Sequence, residues 1–266
     1  MTKKLPGVYQ AKKKDNSIYY RASITFRKKH ISLGSYDTMM KAHAAYLEAA
    51  SLIDDNRFSL SDYSTHRILA LEKWVSLINF RDNGIYFATP IYVKNRFFEY
   101  YLSTDLILKF DIEDLFYYST RKIMKRGGHF FVADYGMQVN ILNRYGIKNY
   151  GVPGRDYVFA NGDSSDFRYE NIKIINTYHG VSRIQKKGRN LYRVKIHIRG
   201  NYTVGTYETE NEAAIAYNKA VDCLKKAGIT KNFPQNYIEG ISPSVYADIY
   251  TKITISPKVQ HYKPPT

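Results

Sequence analysis

Tyr192-Arg193-Val194-Lys195-Ile196-His197-Ile198-Arg199 places an apolar side chain at every second position and a cationic one between each pair. A period of two marks a strand with one buried and one exposed face. Outward from it, Gly180-Val181 lies upstream and Val204-Gly205-Thr206-Tyr207 downstream, separated by turn signals at Gly188-Arg189-Asn190 and Arg199-Gly200-Asn201. The stretch therefore reads as three antiparallel strands. Thr209 follows, and Glu212 three residues on completes a capping box for a helix carrying Ala213, Ala214, Ala216 and Ala220. Side chains that small let the helix lie close on the apolar face of the sheet. The other face is left uncovered and turns Arg193, Lys195 and His197 outward.

The same unit occurs twice. Gly7-Val8, Tyr20-Arg21, Ile24, Leu33-Gly34-Ser35-Tyr36 and Thr38 through Tyr46 repeat as Gly180-Val181, Tyr192-Arg193, Ile196, Val204-Gly205-Thr206-Tyr207 and Thr209 through Tyr217. The offset falls from 173 to 172 to 171, and each lost residue lies at a hairpin turn: Lys14-Asp15-Asn16-Ser17 in one case and Arg27-Lys28-Lys29 in the other. Length changes confined to turns are what a shared fold tolerates. The first copy also ends in an alanine-rich helix, with Ala42, Ala44, Ala45, Ala49 and Ala50.

Charge follows the repeat. The 266 residues carry 40 basic and 24 acidic side chains, a net charge of +16. Residues 1–55 hold 10 basic against 5 acidic, and residues 178–236 hold 11 against 4. Between His179 and Thr203 there are seven basic residues and no acid. Such a balance calls for a polyanion, nucleic acid before an anionic membrane surface. An apolar fraction of 44% excludes disorder throughout. No apolar run approaches the ~18 residues of a membrane span, and Met1 to Pro6 leads into no signal-peptide core. One cysteine, Cys223, excludes a disulfide framework and zinc sites built on cysteine pairs. The expected setting is cytoplasmic and nucleoid-associated, with no membrane partner.

In order and spacing, both copies resemble the Apetala-type, or ethylene-response-factor, DNA-binding domain. Its pattern runs Gly-Val, a Trp-Arg-Ala-x-Ile-like strand, Leu-Gly-x-Phe/Tyr-x-Thr, then an Ala-Ala-x-x-Tyr helix. The match covers about residues 5–53 and 178–235. The resemblance implies that the sheet, not the helix, enters the major groove of duplex DNA, a groove that also admits β-elements. By position it assigns groove contacts to Tyr9, Lys13, Arg21, Ser23, Thr25, His30 and Ser32, and to Ser182, Lys186, Arg193, Lys195, His197 and Thr203. The chain departs from the family at Tyr20 and Tyr192, where a Trp usually opens strand two, and at Ser32 and Thr203, where another sits in strand three.

Between the copies, Asp54-Asp55-Asn56-Arg57 reads as a linker, and residues 64–79 as a helix with Ile68, Leu71, Trp74, Val75 and Ile78 on one face. Residues 85–118 read as strands and a short helix starting near Asp111-Ile112-Glu113-Asp114. Arg121 through Gly128 reads either as a phosphate-contacting loop or as a solvated turn. Leu142-Asn143-Arg144-Tyr145, then Val158-Phe159-Ala160-Asn161-Gly162-Asp163, Asp166, Arg168 and Asn171-Ile172, resemble the His-Asn-His (HNH) homing-endonuclease motif. That motif runs Leu-His-Arg, then Val-Asp-His-x-Asn-Gly-Asp-x-x-Asp-Asn-Arg-x-x-Asn-Leu.

A nuclease of this ββα-metal class uses one divalent cation and a His as general base. By position the base falls on Phe159, its metal-binding neighbour on Val158 and the earlier His on Asn143, while Asn171 is kept. Phenylalanine and valine can neither take a proton nor ligate magnesium. The expectation is an α+β chain of two sheet-plus-helix modules (1–55 and 178–236) flanking an extension (56–103) and a degenerate HNH-like domain (104–177), with a tail (237–266). It binds double-stranded DNA as a repressor or site-occluding factor, needs no cofactor and carries no metal; the oligomeric state is left open, two modules in one chain being compatible with a monomer. The alternatives are an active or nicking HNH-type endonuclease with relocated catalytic groups, which would need magnesium, and a non-enzymatic interaction or RNA-binding protein.

Overall fold

The computed structural model of the chain describes residues 5–264; Met1–Lys4, the start of the expected first module, and the last two residues of the expected tail lie outside them. The chain is mixed α+β, with several small antiparallel sheets and few helices. It divides into two compact units: residues 1–141 with 163–171, and residues 142–162 with 172–266.

In the first unit, strands β1 (Val8–Lys12), β2 (Ile18–Phe26) and β3 (Lys29–Tyr36) form one sheet, followed by helix α1 (Met39–Asp54). Tyr9 pairs with Arg21 and Arg21 with Ser35 across the three antiparallel strands. A bulge between Ala22 and Ser23 shifts the register against β3. Thr38 caps α1 by accepting from the Lys41 N–H. Ala42, Ala45 and Ala49 are fully buried against the sheet beside Ala22, Ile31 and Leu33.

The core of that module does not end at residue 55. Helix α2 (Leu71–Asn83) contributes Trp74, Leu77, Ile78 and Phe80 to the same cluster. The expected linker is tied down: Arg57 pairs with Asp55 at 2.8 Å, and Arg81 donates to the carbonyls of Leu52, Asp55 and Phe58. The helix also starts seven residues later than 64. Residues 64–70 are instead drawn against α1, where the Leu69 N–H donates to the Glu48 carboxylate at 2.9 Å, and Ile68 is exposed. Capping by Gly84 in the left-handed region stops it at Asn83.

Strands β4 (Ile91–Val93), β5 (Phe97–Tyr101) and β6 (Ile107–Asp111) make a second sheet, and helix α3 (Leu115–Ser119) follows the acidic start expected for it. Strands β7 (Ile123–Arg126), β8 (His129–Asp134) and β9 (Met137–Asn140) make a third. Arg121 through Gly128 is therefore mostly a strand and its tight turn, not a loop. Arg121 is committed to Asp134 at 3.0 Å and to the Tyr117 ring, while Lys125 and Arg126 are exposed.

In the second unit, β10 (Tyr157–Phe159) pairs with β11 (Ile172–Ile174). Strands β12 (Val181–Lys186), β13 (Arg189–His197) and β14 (Asn201–Tyr207) repeat the first sheet, with the same bulge one residue after Val194, and helix α4 (Glu210–Lys226) covers them. The capping box is present: the Glu212 N–H donates to Thr209, and the Thr209 N–H to the Glu212 carboxylate. In both copies a glycine with φ near +70° opens the sheet, Gly7 at +72° and Gly180 at +74°. A Cβ at either would overlap a tyrosine ring of the covering helix, Tyr46 or Tyr217. That close approach explains why Gly and Tyr recur together in the repeat. The tail is not loose. Helices α5 (Pro243–Lys252) and α6 (Pro257–Gln260) pack their apolar residues into the core around α4.

Candidate nucleic-acid interface

Strand pairing sorts the predicted contact residues by face. In the β12–β14 sheet, Ser182, Arg193 and Thr206 line up across three strands, Lys195 stands beside Thr203, and His197 stands beside Asn201. Arg193, Lys195, His197 and Thr203 are exposed, while Val194 and Ile196 between them are buried under α4. Lys186 pairs with Arg189 at the tip of the hairpin, and both are exposed. Ser182 is half-buried. Neither Arg193, Lys195 nor Lys186 forms an ion pair among the described residues.

The first sheet presents Tyr9, Arg21, Thr25, His30 and Ser32 on the equivalent exposed face, with Lys13 in the adjoining turn. Ser23 is the exception. It holds the place of Lys195, but at the bulge its short side chain is only 7% exposed, and its N–H is bound to the Gly7 carbonyl. It cannot reach a partner beyond the face. Arg21 is braced: its Nε and Nη2 donate to the Tyr19 hydroxyl at 3.1 and 2.6 Å. Pairing adds Tyr19, Ser35, Asn201 and Thr206 to the candidate face, all readable from the period of two once the register is known. Tyr20 and Tyr192, which replace the family's tryptophan, lie on the helix side and pack into the two cores.

The nuclease-like positions are distributed differently. Val158 and Phe159 are half-buried on β10, with the Phe159 ring against Tyr157 at 5.8 Å. Asn143 is exposed in a 3-10 turn of the same unit, whereas Asn171 falls in the first unit. The retained motif residues hold the backbone. Asp163 accepts from the Ser165 N–H and hydroxyl and pairs with Lys109 at 3.2 Å. Asp166 is fully buried under a two-point contact with Arg168, and the Asn171 amide donates to the Asp163 and Asp166 carbonyls. These contacts dock residues 163–171 on β6, where the Lys109 N–H donates to the Ser165 carbonyl and the Phe167 N–H to that of Lys109.

The helix that a ββα-metal site places after its second strand has no counterpart. Only residues 175–180 separate β11 from β12, and Asn176 among them is bound to Asp156, to the Arg155 carbonyl and to the Arg183 N–H. The nearest titratable groups are also engaged. Burial opposes ionisation of Asp156, but hydrogen bonds from Arg155, the Val152 N–H and Asn176 outweigh it and hold its pKa below the usual carboxylate value. His179 is depressed by burial and then by the Arg155 charge. Among the described residues no three His, Cys, Asp or Glu are placed to hold a metal ion.

Scans against protein-family models, curated proteins and solved structures gave no match. Among the described residues no helix is long and apolar enough to cross a membrane. A larger cleft of about 790 Å³ in the first unit is lined by groups already paired with one another, Arg81 with Asp82, and the Tyr92 and Tyr101 hydroxyls with Asp82 and Glu99.

Proposed function

We propose that the protein binds double-stranded DNA through the two outward sheet faces and acts by occupying its site, as a repressor or occluding factor. The supporting observation is the sorting of charge on β13. Val194 and Ile196 go under the helix, while Arg193 and Lys195 go outward without ion-pair partners among the described residues. Cations held unpaired on a flat face favour a polyanion, whose condensed counterions are released on binding. The resemblance to Apetala-type domains gives the same reading for the first sheet, and the HNH-like stretch then belongs to a scaffold whose retained residues brace a loop.

The test compares duplex DNA with duplex RNA of matched sequence, followed by prolonged incubation of the DNA with magnesium or manganese. The expected outcome is DNA binding with both strands intact. A-form RNA excludes a sheet from its deep, narrow major groove. Equal binding to RNA would favour an RNA-binding protein, and metal-dependent nicking lost in Asp163→Asn would favour the nuclease.

A further inference from the structure

At one end of the β12–β14 sheet lies a hollow of about 510 Å³ whose walls come from five separate stretches of the second unit, three of which supply its cations. Arg155 precedes β10, Lys195 and His197 belong to β13, and Lys231 follows α4. No carboxylate lines it. The adjacent acid, Asp156, is buried and fully used by Val152, Arg155 and Asn176.

We propose that this hollow binds one phosphate group of the DNA backbone flanking the face, which rests on the duplex-binding reading above. Ser182, Lys195 and His197 line both the face and the hollow, so a strand lying on one passes the mouth of the other. The cations are held ready. Arg155 is fixed through Nε and Nη2 by Asp156, at 2.6 Å for the shortest contact, and its Nη1 has no hydrogen-bond partner among the described residues. Lys231 Nζ donates to the His197 carbonyl at 2.8 Å and stands over the Phe233 ring, which leaves further ammonium protons for a ligand. Lys195 Nζ makes no hydrogen bond among the described residues. His197 is oriented by Asn201, 3.1 Å from its Nδ1.

Three cations gathered in a concave wall repel one another, and a concave low-dielectric wall focuses their field. His179 in the same wall is held below its ordinary pKa mainly by burial; the Arg155 and Lys231 charges act in the same direction and Asp156 opposes them. A phosphate suits the arrangement because its several oxygens can accept from walls facing different ways, as a guanidinium and an ammonium require.

The chemistry is shared by free phosphate and a backbone phosphodiester, and two measurements on the full chain separate them. In the first, inorganic phosphate is titrated while the ring signals of His179 and His197 are followed by NMR, against sodium chloride at matched ionic strength. Saturable shifts with phosphate alone are expected, and identical responses to both salts would overturn the site. In the second, duplex binding is measured across salt for the native chain, Lys231→Gln and Arg155→Gln. Lys231 is exposed and its replacement leaves the core untouched, which covers the case in which Arg155→Gln unfolds by stranding Asp156.

The slope of log K against log salt should be shallower by about 0.9 in Lys231→Gln, with equal loss on specific and scrambled duplexes. A methylphosphonate at one flanking position should erase the difference between native and variant. Duplex binding with an unchanged slope in the variants overturns the hollow and leaves the DNA reading standing. Phosphate-specific ring shifts without any duplex binding overturn the DNA reading and assign the hollow to a free phosphate.

Discussion

Arg193 and Lys186 share one face but should behave differently when removed. Arg193 lies mid-sheet between Ser182 and Thr206, where a groove floor would meet it, and Lys186 lies at the hairpin tip. Arg193→Ala should cost about 1–3 kcal/mol and relax sequence preference at one position. Lys186→Ala should weaken all duplexes alike and shallow the salt slope. Fluorescence anisotropy on specific and scrambled duplexes distinguishes the two patterns.

His179 makes a different prediction, about stability. Its ring is enclosed by Tyr150 and Tyr217, at 4.5 and 5.2 Å between centroids, and its folded pKa lies below 6.5. A depressed histidine is harder to protonate folded than unfolded. Its contribution is therefore unchanged above pH 6.5 and is lost as pH falls from there through the folded value. Denaturant melts followed by tyrosine signals should lose stability over that window. A His179→Gln chain with the same pH slope would contradict the assignment.

At the scale of elements, what could be read beforehand was local and periodic. The alternation on β13, the hairpin turns and the Thr209–Glu212 box each lie within a few residues and appear as expected. Elements set by distant partners left no such signal. Helix α2 begins at Leu71 because Glu48 on α1 holds the segment before it, and no periodicity encodes that bond. The short 175–180 connection between β11 and β12 lies beyond Ile172, the last residue of the HNH-like motif, and carries no periodic signal of its own. Likewise, Arg155 and Lys231 join Lys195 only through the fold. The tail, unassigned in sequence, is fastened by Lys219, whose Nζ donates to the carbonyls of Tyr250 and Ile253 at 2.7 and 2.8 Å. Those carbonyls end α5, where a cation also complements the helix dipole. Lys219→Met keeps the stem and removes the bonds. It should cost about 2 kcal/mol, seen as a lower urea midpoint with an unchanged m-value.

For the whole molecule, the two modules are carried on one chain, which makes the second docking intramolecular. Tethering of this kind commonly adds ~10²–10⁴ in affinity. The modules must be weakened in place, because a fragment ending at residue 55 would lack Trp74, Leu77 and Phe80 from its own core. Arg21→Ala and Arg193→Ala, each in the full chain, are suitable substitutions. The direct measurement is a hydroxyl-radical footprint of the full chain, in magnesium, on a duplex recovered by binding selection. Two protected blocks on unbroken strands are predicted, one fading in Arg21→Ala and the other in Arg193→Ala. A single block insensitive to both substitutions, or scission within the site, would contradict the account.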